Sequence, residues 1–483
     1  MFHFKAILHI LGTLLFFNGI FMASILPVSW YTDSSDFNAL LYSSVISFNS
    51  GIVILLLTRK VKKELSKRDG YIIVTFGWLI MGISGSLPFL LSGAISSIPS
   101  ALFETISGYT TTGASILNDI ETLTPGIMLW RSMTQWIGGM GIIVLTVAIL
   151  PLLGVGGMEL FAAESPGPSS VKIHAKITDT AKRLWLIYVF ITGVEVVLLK
   201  YAGMTWLDAL NHSFTTISTG GFSTKNASIA AFENPLIEYI ITGFMLIGGI
   251  NFTIIYFLCK FSFRKAIDNE EFRVYLGIVI SFVVLITTTL VLTMDEQFEE
   301  SFRLAFFQVT TIVTTTGFST SNYANWTPFA YMLIVLLMFV GGSAGSTAGG
   351  VKVARHLIIF KNAYIEFKRL LHPRGVIRVR INNQTVDSKN VYNVLAFFFI
   401  YLLVFVFGSL VISGFGHDII TSAGASIACL GNIGPGFGGV DPSHSFAFFG
   451  DGAKLFLSFL MLLGRLELFT VLILLTPAFW YNV

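Results

Sequence analysis

The chain has 483 residues, 54% of them hydrophobic and 12% charged, with a mean hydropathy of +0.77. A soluble globular domain carries about 25% charged residues, so this composition, with its long apolar runs, describes a polytopic membrane protein. The net charge of +3 is too small to point to nucleic acid, and the two cysteines, Cys259 and Cys429, lie in or beside apolar stretches and imply no disulfide framework.

A transmembrane helix needs about 20 apolar residues. The N-terminal "MFHFKAILHILGTLLFFNGIFMASIL" has an apolar core longer than the roughly 7–15 residues of a signal peptide, so a retained first span is expected over 5–28. Further spans are expected at 38–58, 70–94, 126–153, 182–203, 234–260, 271–294, 327–350, 390–414 and 449–480, ten in all. Basic residues orient them. "RKVKKELSKRD" (Arg59–Asp69), Lys172–Arg183, Lys260–Arg273 and Lys352–Arg380 are basic and expected inside. Tyr31–Asn38, Asp119–Glu121, "DEQFEE" (Asp295–Glu300) and Asp441–Asp451 are acidic or base-poor and expected outside. The two sets alternate as ten spans require, with both termini in the cytoplasm.

Shorter segments sit between certain spans: Pro99–Tyr109, Thr205–Ile217 and Glu299–Val313. A helix of about 11–15 residues covers about 16–22 Å, too little for a core of about 30 Å. These are expected to be re-entrant half-helices. Each is followed by a polar, glycine-rich loop on the expected outer side: "TTTGAS" from Thr110, "STGGFSTKN" from Ser218 and "TTTGFSTSN" from Thr314. Their glycines, Gly113, Gly221 and Gly317, recur at intervals of 108 and 96 residues, which marks an internal repeat. A fourth unit is expected about a hundred residues on, and "HDIITSAGASIACLGNIGPGFGGV" (His417–Val440) supplies it, with Gly434 as the equivalent glycine. The fold expected is all-α: an N-terminal span pair over 1–69, then four membrane–pore-loop–membrane repeats around one pore, over 70–178, 179–266, 267–385 (with a basic cytoplasmic linker) and 386–483.

Non-helical backbone survives at membrane depth only inside protein or beside water. Four such loops at one depth meet this condition by converging on an axis, with their carbonyls turned to a shared lumen. A ring of carbonyl oxygens replaces the hydration shell of a potassium ion. Glycine permits the positive φ that turns successive carbonyls alike, Thr and Ser add hydroxyl oxygens, and the negative ends of the half-helix dipoles favour a cation. The bland alternative for any one loop, a helix C-cap with a polar turn, does not explain the repetition.

The motifs "TTTGFST", "STGGFSTKN" and "GNIGPGFG" together resemble those of the Trk/Ktr/HKT superfamily of potassium transporters, most closely its bacterial TrkH pore subunits, over nearly the whole chain. The resemblance implies a filter made of Thr110, Thr111, Thr112 and Gly113; Ser218, Thr219, Gly220 and Gly221; Thr314, Thr315, Thr316 and Gly317; and Gly431, Asn432, Ile433 and Gly434. No loop is a full TVGYG, loop one has Ala114 where loops two and three have Phe, and loop four lacks threonine. It also implies potassium as the transported ligand with no cofactor in this chain, a homodimer in lipid of the bacterial cytoplasmic (inner) membrane, and a separate cytosolic TrkA-type nucleotide-binding ring docking on the basic linker.

Two features lie below the loops. Arg465 sits mid-way in "LFLSFLMLLGRLELFTVLILL", where a cation costs at least about 2.5 kcal/mol. It is expected to face the pore as a positive barrier, as the resemblance also implies. The alternative is a structural pair, but Glu467 at i+2 does not face it on a helix, and Glu467 is left unassigned. Gly341–Gly350 holds five glycines, each costing a helix about 1 kcal/mol relative to alanine, so the segment is expected to unwind at membrane depth. Close packing through small residues is the alternative. By resemblance Gly341, Gly342, Gly345, Gly349, Gly350 and Lys352 form an intramembrane gate, with Lys352 holding it through acidic or carbonyl partners.

A symporter coupled to sodium or protons is the competing transport reading. Glu104, Glu195 and Glu467 are the carboxylates that would serve it, and none is expected at a repeated position. An enzyme would need convergent His, Asp, Glu or Cys, and the sequence has no HExxH, no GxSxG and scattered histidines. "GVGG" (Gly154–Gly157) is too short to be a dinucleotide site.

Overall fold

The computed structural model describes residues 2–59, 65–139, 141, 177–293, 297–375 and 377–480. The end of the expected span 126–153, parts of four of the charged segments and Gly154–Gly157 fall outside these residues.

Apolar runs without internal proline become helices. α1 (Phe4–Ala23), a short α2 (Leu26–Tyr31) and α3 (Phe37–Leu57) form the N-terminal pair. α1 and α3 touch through small residues: Cβ atoms built on Gly19 and Gly51 would come 2.7 and 2.5 Å from the backbone nitrogens of Phe48 and Phe16. Ring contacts of Phe2 with Phe479 and Trp480 bring the two ends of the chain together.

Four units follow. The first has α4 (Lys67–Gly85) with its extension α5 (Leu87–Leu91), half-helix α6 (Ile98–Tyr109) and α7 (Pro125–Gly139). The second has α8 (Ile177–Tyr201), half-helix α9 (Trp206–Ile217), α10 (Pro235–Gly248) and α11 (Phe252–Cys259), after which comes a short α12 (Phe263–Ile267). The third has α13 (Glu270–Thr293), half-helix α14 (Phe298–Val313), α15 (Pro328–Leu337) and α16 (Val353–Leu371). The fourth has α17 (Ser388–Gly414), half-helix α18 (Ile419–Leu430), α19 (Asp451–Arg465), α20 (Phe469–Leu472) and α21 (Pro477–Trp480).

The half-helices start where polar caps allow. The Thr205 side chain accepts the Asp208 N–H, and that of Asp418 the Thr421 N–H. α6 packs on α19, α9 on α7 and α14 on α10, so each of the first three half-helices leans on the second half of the preceding repeat. Packing of α6 on α19 closes the circle between the first and fourth units.

All ten expected spans contain helix, but not all are continuous. Among the described residues six helices are long and apolar enough to cross a membrane, or eight if each bent pair is one span. The span expected at 234–260 bends by 111° between Gly248 and Phe252, and that at 449–480 bends by 112° after Arg465. The span expected at 327–350 is helical only through Leu337, because its glycine-rich second half leaves the helix. The basic linker is mostly the 19-residue helix α16, followed by a two-stranded hairpin, β1 (Arg380–Ile381) with β2 (Gln384–Thr385). Asn382 and Asn383 have φ of 49° and 62°, the geometry of a tight type I′ turn.

Gly51→Leu is expected to wedge α1 from α3 and destabilise the protein by about 1–3 kcal/mol. A lowered melting temperature in detergent is the check.

Candidate functional site

The four half-helices end in the same hydrogen-bonded motif. The N–H groups of Thr112, Gly220, Thr316 and Ile433 donate to the carbonyls of Ser107, Thr215, Thr311 and Ala428, five residues back, at 2.8–2.9 Å. The preceding N–H groups, of Thr111, Thr219, Thr315 and Asn432, donate three residues back at 2.9–3.2 Å. This is a Schellman cap. Its left-handed residue is usually glycine, yet here it is Thr111 (φ 53°), Thr219 (55°), Thr315 (55°) and Asn432 (51°). A β-branched residue at positive φ is an outlier that surrounding structure must hold in place, at about 1–3 kcal/mol each. Two residues on, Gly113, Gly221, Gly317 and Gly434 have φ of 81°, 76°, 84° and 97°.

The glycines close a ring. A Cβ on Gly113 would fall on the Gly220 carbonyl oxygen, one on Gly221 on that of Thr316, one on Gly317 on that of Ile433, and one on Gly434 within 2.7 Å of that of Thr112. Each loop therefore lays its carbonyl against the glycine of the preceding loop, and the fourth glycine returns to the first loop. The segments beyond the glycines are stitched in the same order. Asn226 bonds Ile120 and Asp119 at 2.7 and 2.9 Å, the Ile229 N–H donates to Ser319 at 3.2 Å, Asn322 donates to Ser443 at 2.7 Å, and the Phe446 N–H donates to Ser115 at 2.8 Å.

Of the eight predicted filter hydroxyls, only that of Thr111 has no protein partner among the described residues. Loop four substitutes an amide for threonine: Asn432 Nδ2 donates to Thr112 Oγ1 and to the Met461 carbonyl, both at 2.9 Å.

α7 braces loop two and the first half-helix, α6, with residues that sequence reasoning missed. Gln135 donates to the Gly220 carbonyl at 2.7 Å and accepts the Phe222 N–H at 3.0 Å. Arg131 Nε donates to Glu104 at 2.7 Å, Nη1 donates to the Ser223 carbonyl at 3.1 Å, and the guanidinium lies over the Phe222 ring. Arg131 and Glu104 are 2% and 0% exposed. An arginine inside "IMLWRSMTQWIGG" was the available signal, by the same logic that singled out Arg465.

Beneath the loops, Gly341–Gly350 is non-helical and held at many points. The Gly341 N–H donates to Val351, and the Val353 N–H to Gly342. The Ser343 and Thr347 N–H groups donate to Gly249 and Gly248, carbonyls freed where α10 breaks before α11. The Thr347 hydroxyl donates to the Ile217 carbonyl at 2.9 Å, and the Gly349 N–H to Thr315 Oγ1 at 2.6 Å. Gly349 also lies against Gly431 and Asn432. The segment thus touches loops three and four and the end of α9. Gly345 (φ 72°) accepts the Phe252 N–H, and Gly350 has φ 66°. Glu271 of α13 accepts the Ala344 N–H at 2.6 Å, an anchor not foreseen. Lys352 reaches back to the Ala348 carbonyl, the carbonyl option of the two expected.

Arg465 ends α19. Its Nη1 donates to the Thr347 carbonyl at 2.8 Å, and its Nη2 to the Gly138 and Gly139 carbonyls at 2.7 and 3.2 Å. Glu467, unassigned from sequence, pairs with Arg355 of α16, whose guanidinium lies over Phe397. The helix breaks between Arg465 and Glu467, where Glu467 and Leu468 take φ of 57° and 52°. Of the three carboxylates considered for coupling, Glu104 and Glu467 are in ion pairs, and Glu195 is buried beside Thr216.

Four repeats of span, half-helix, loop and span, closed on one axis behind an extra span pair, define a polytopic membrane protein of the pore-loop class. The chain belongs to the TrkH family, whose sequence profile, described as a cation transport protein, matches residues 38–480. It is 41% identical to the Trk system potassium uptake proteins TrkH of Salmonella typhimurium and Escherichia coli K12, each over 99% of both chains. Identity to the Trk system potassium uptake protein TrkG of Escherichia coli K12 is 34%, again over 99% of both. The crystal structure of the potassium transporter TrkH from Vibrio parahaemolyticus matches with a TM-score of 0.89 at 37% identity, covering 99% of this chain and 100% of that one.

Arg131→Ala leaves the Glu104 charge buried and unpaired, an expected loss of about 3–5 kcal/mol. Thermal melting measures it, and adding Glu104→Gln is expected to recover part of the loss.

Proposed function

We propose that the protein takes up potassium across the bacterial cytoplasmic membrane through a channel-like pore whose filter is the ring of loop carbonyls. The observation that carries this reading is the closed circuit in which Gly113, Gly221, Gly317 and Gly434 each face the carbonyl of the next loop. Uncharged oxygens gathered on an axis replace water around a weakly hydrated cation and let it leave again. Half-helix C-termini directed at the ring add negative potential. The filter is Thr110–Gly113, Ser218–Gly221, Thr314–Gly317 and Gly431–Gly434, with backbone oxygens in the main role and the Thr111 hydroxyl and Asn432 Oδ1 the side-chain oxygens without a protein partner among the described residues. Ion pairing of Glu104 and Glu467 favours a pore over coupling through those carboxylates.

Gly341–Gly350 is the gate in this reading, and Arg465 both pins it and sets a positive charge in the path below the filter. Lys352 and Glu271 hold its two flanks. α16 continues from the gate, so a cytosolic nucleotide-binding ring of the TrkA type docking on this basic helix and its hairpin would pull on the gate through the Arg355–Glu467 pair. The protein works as a homodimer with both termini in the cytoplasm, and its units divide at residues 70, 179, 267 and 386.

Bi-ionic currents from the protein in planar bilayers test the filter. Gly113→Ser forces a Cβ onto the Gly220 carbonyl at φ 81°, and the potassium-over-sodium permeability ratio is expected to fall by about tenfold, the effect of about 1.4 kcal/mol. An unchanged ratio removes Gly113 from the filter.

Arg465→Ala is expected to raise single-channel conductance about threefold. A unit charge at about 7 Å in a water-like medium repels a cation by about 0.6 kcal/mol. Wild-type conductance would leave Arg465 a purely structural role.

A further inference from the structure

Nine residues before the four filter glycines stand Glu104, His212, Gln308 and Ala425, and two residues after them stand Ser115, Ser223, Ser319 and Gly436. In the first repeat the Ser115 hydroxyl donates to the Glu104 carboxylate at 2.9 Å, and the Ile116 N–H donates to it at 2.9 Å. In the second repeat Ser223 Oγ lies 3.0 Å from His212 Nε2. His212 Nδ1 is 2.8 Å from the Asp208 carbonyl, which only accepts, so Nδ1 carries the proton and Nε2 accepts from the serine. The serine oxygen then accepts the N–H two residues on in both repeats, from Leu117 at 3.1 Å and Lys225 at 3.0 Å. A carboxylate and an imidazole thus make one bond in one register.

The third repeat breaks the series. Gln308 is fully buried, and neither amide atom has a hydrogen-bond partner among the described residues. In the fourth repeat both groups are gone, replaced by Ala425 and Gly436. Loop three is instead held at its inner end, where the Gly349 N–H of the gate segment donates to Thr315.

We propose that the side chain nine residues before the filter glycine is a positioning residue for the outer end of its own loop, a brace made by Glu104 and His212 and left unmade by Gln308 and Ala425. The first two quarters of the filter therefore carry this side-chain brace, whereas the outer ends of the other two are held by contacts of a different kind, Ser319 with Ser228 and Ile229, and Gly436 with Tyr323. This inference rests on the filter reading above. A carbonyl ring discriminates between ions by how its oxygens are held and how far they give, so loss of a brace is read in selectivity and not merely in the amount of folded protein.

The test uses bi-ionic currents from the full-length protein with Ser223→Ala, His212→Ala, the double variant, Gln308→Ala and, as a filter control, Gly221→Ala. Ser223→Ala and His212→Ala are each expected to lower the potassium-over-sodium permeability ratio by about three- to tenfold, the worth of one hydrogen bond. The double variant is expected to be no worse than the poorer single, and Gln308→Ala, which removes no bond, to shift the ratio less than either. Ser223→Ala deletes one atom, so it decides the matter even where His212→Ala fails to fold. A wild-type ratio in Ser223→Ala beside a lowered one in Gly221→Ala overturns the brace and spares the filter. Additive effects in the double variant, or an equal effect of Gln308→Ala, also overturn it. Wild-type ratios in both Ser223→Ala and Gly221→Ala remove the filter reading and the brace together.

Discussion

A carbonyl oxygen pressed against the glycine of the preceding loop is the contact on which this molecule turns, and it occurs four times in a closed circle. No side chain fits between the two atoms, so the position must be glycine. Backbone at positive φ would be costly for most other residues there in any case. Around this circle the half-helices, their Schellman caps and the strained Thr111, Thr219, Thr315 and Asn432 form a scaffold that aims backbone oxygens without spending a formal charge. The strain is kept by bonds from outside each loop: Asn432 to Thr112 on loop one, Gln135 and Arg131 on loop two, Gly349 on loop three, and Asn432 to Met461 on loop four.

Below the circle the same constraint reappears in another form. A helix that breaks within a membrane exposes carbonyls that must find donors. α10 breaks at Gly248 and Gly249, and the Gly341–Gly350 segment supplies the Ser343 and Thr347 N–H groups to those carbonyls. The Gly138 and Gly139 carbonyls of α7 likewise accept from Arg465. The irregular pieces satisfy one another, so any displacement of Gly341–Gly350 would uncover polar groups that water must then meet.

The repeated fold was legible because its signals are local: a half-helix too short to span, a glycine four residues past its end, and a period near one hundred residues. Arg465 was legible for a similar reason, as a charge where hydrocarbon forbids one. Straight helices were expected where bent ones occur, since hydropathy counts apolar residues and is blind to a turn at Gly248–Asn251 or after Arg465. Glu467 had no visible partner because Arg355 lies 112 residues away in sequence. The polar position shared by Glu104, His212 and Gln308 was overlooked because its chemistry changes from unit to unit, and only superimposed geometry shows that Ser115 and Ser223 answer to the same site.

In a tetramer of identical subunits any substitution is copied into every quadrant. Here one polypeptide writes each quadrant separately, as TTTG, STGG, TTTG and GNIG. Evolution can therefore adjust a single corner of the loop ring while the other three stand still, and heterogeneity between corners becomes a heritable variable in its own right.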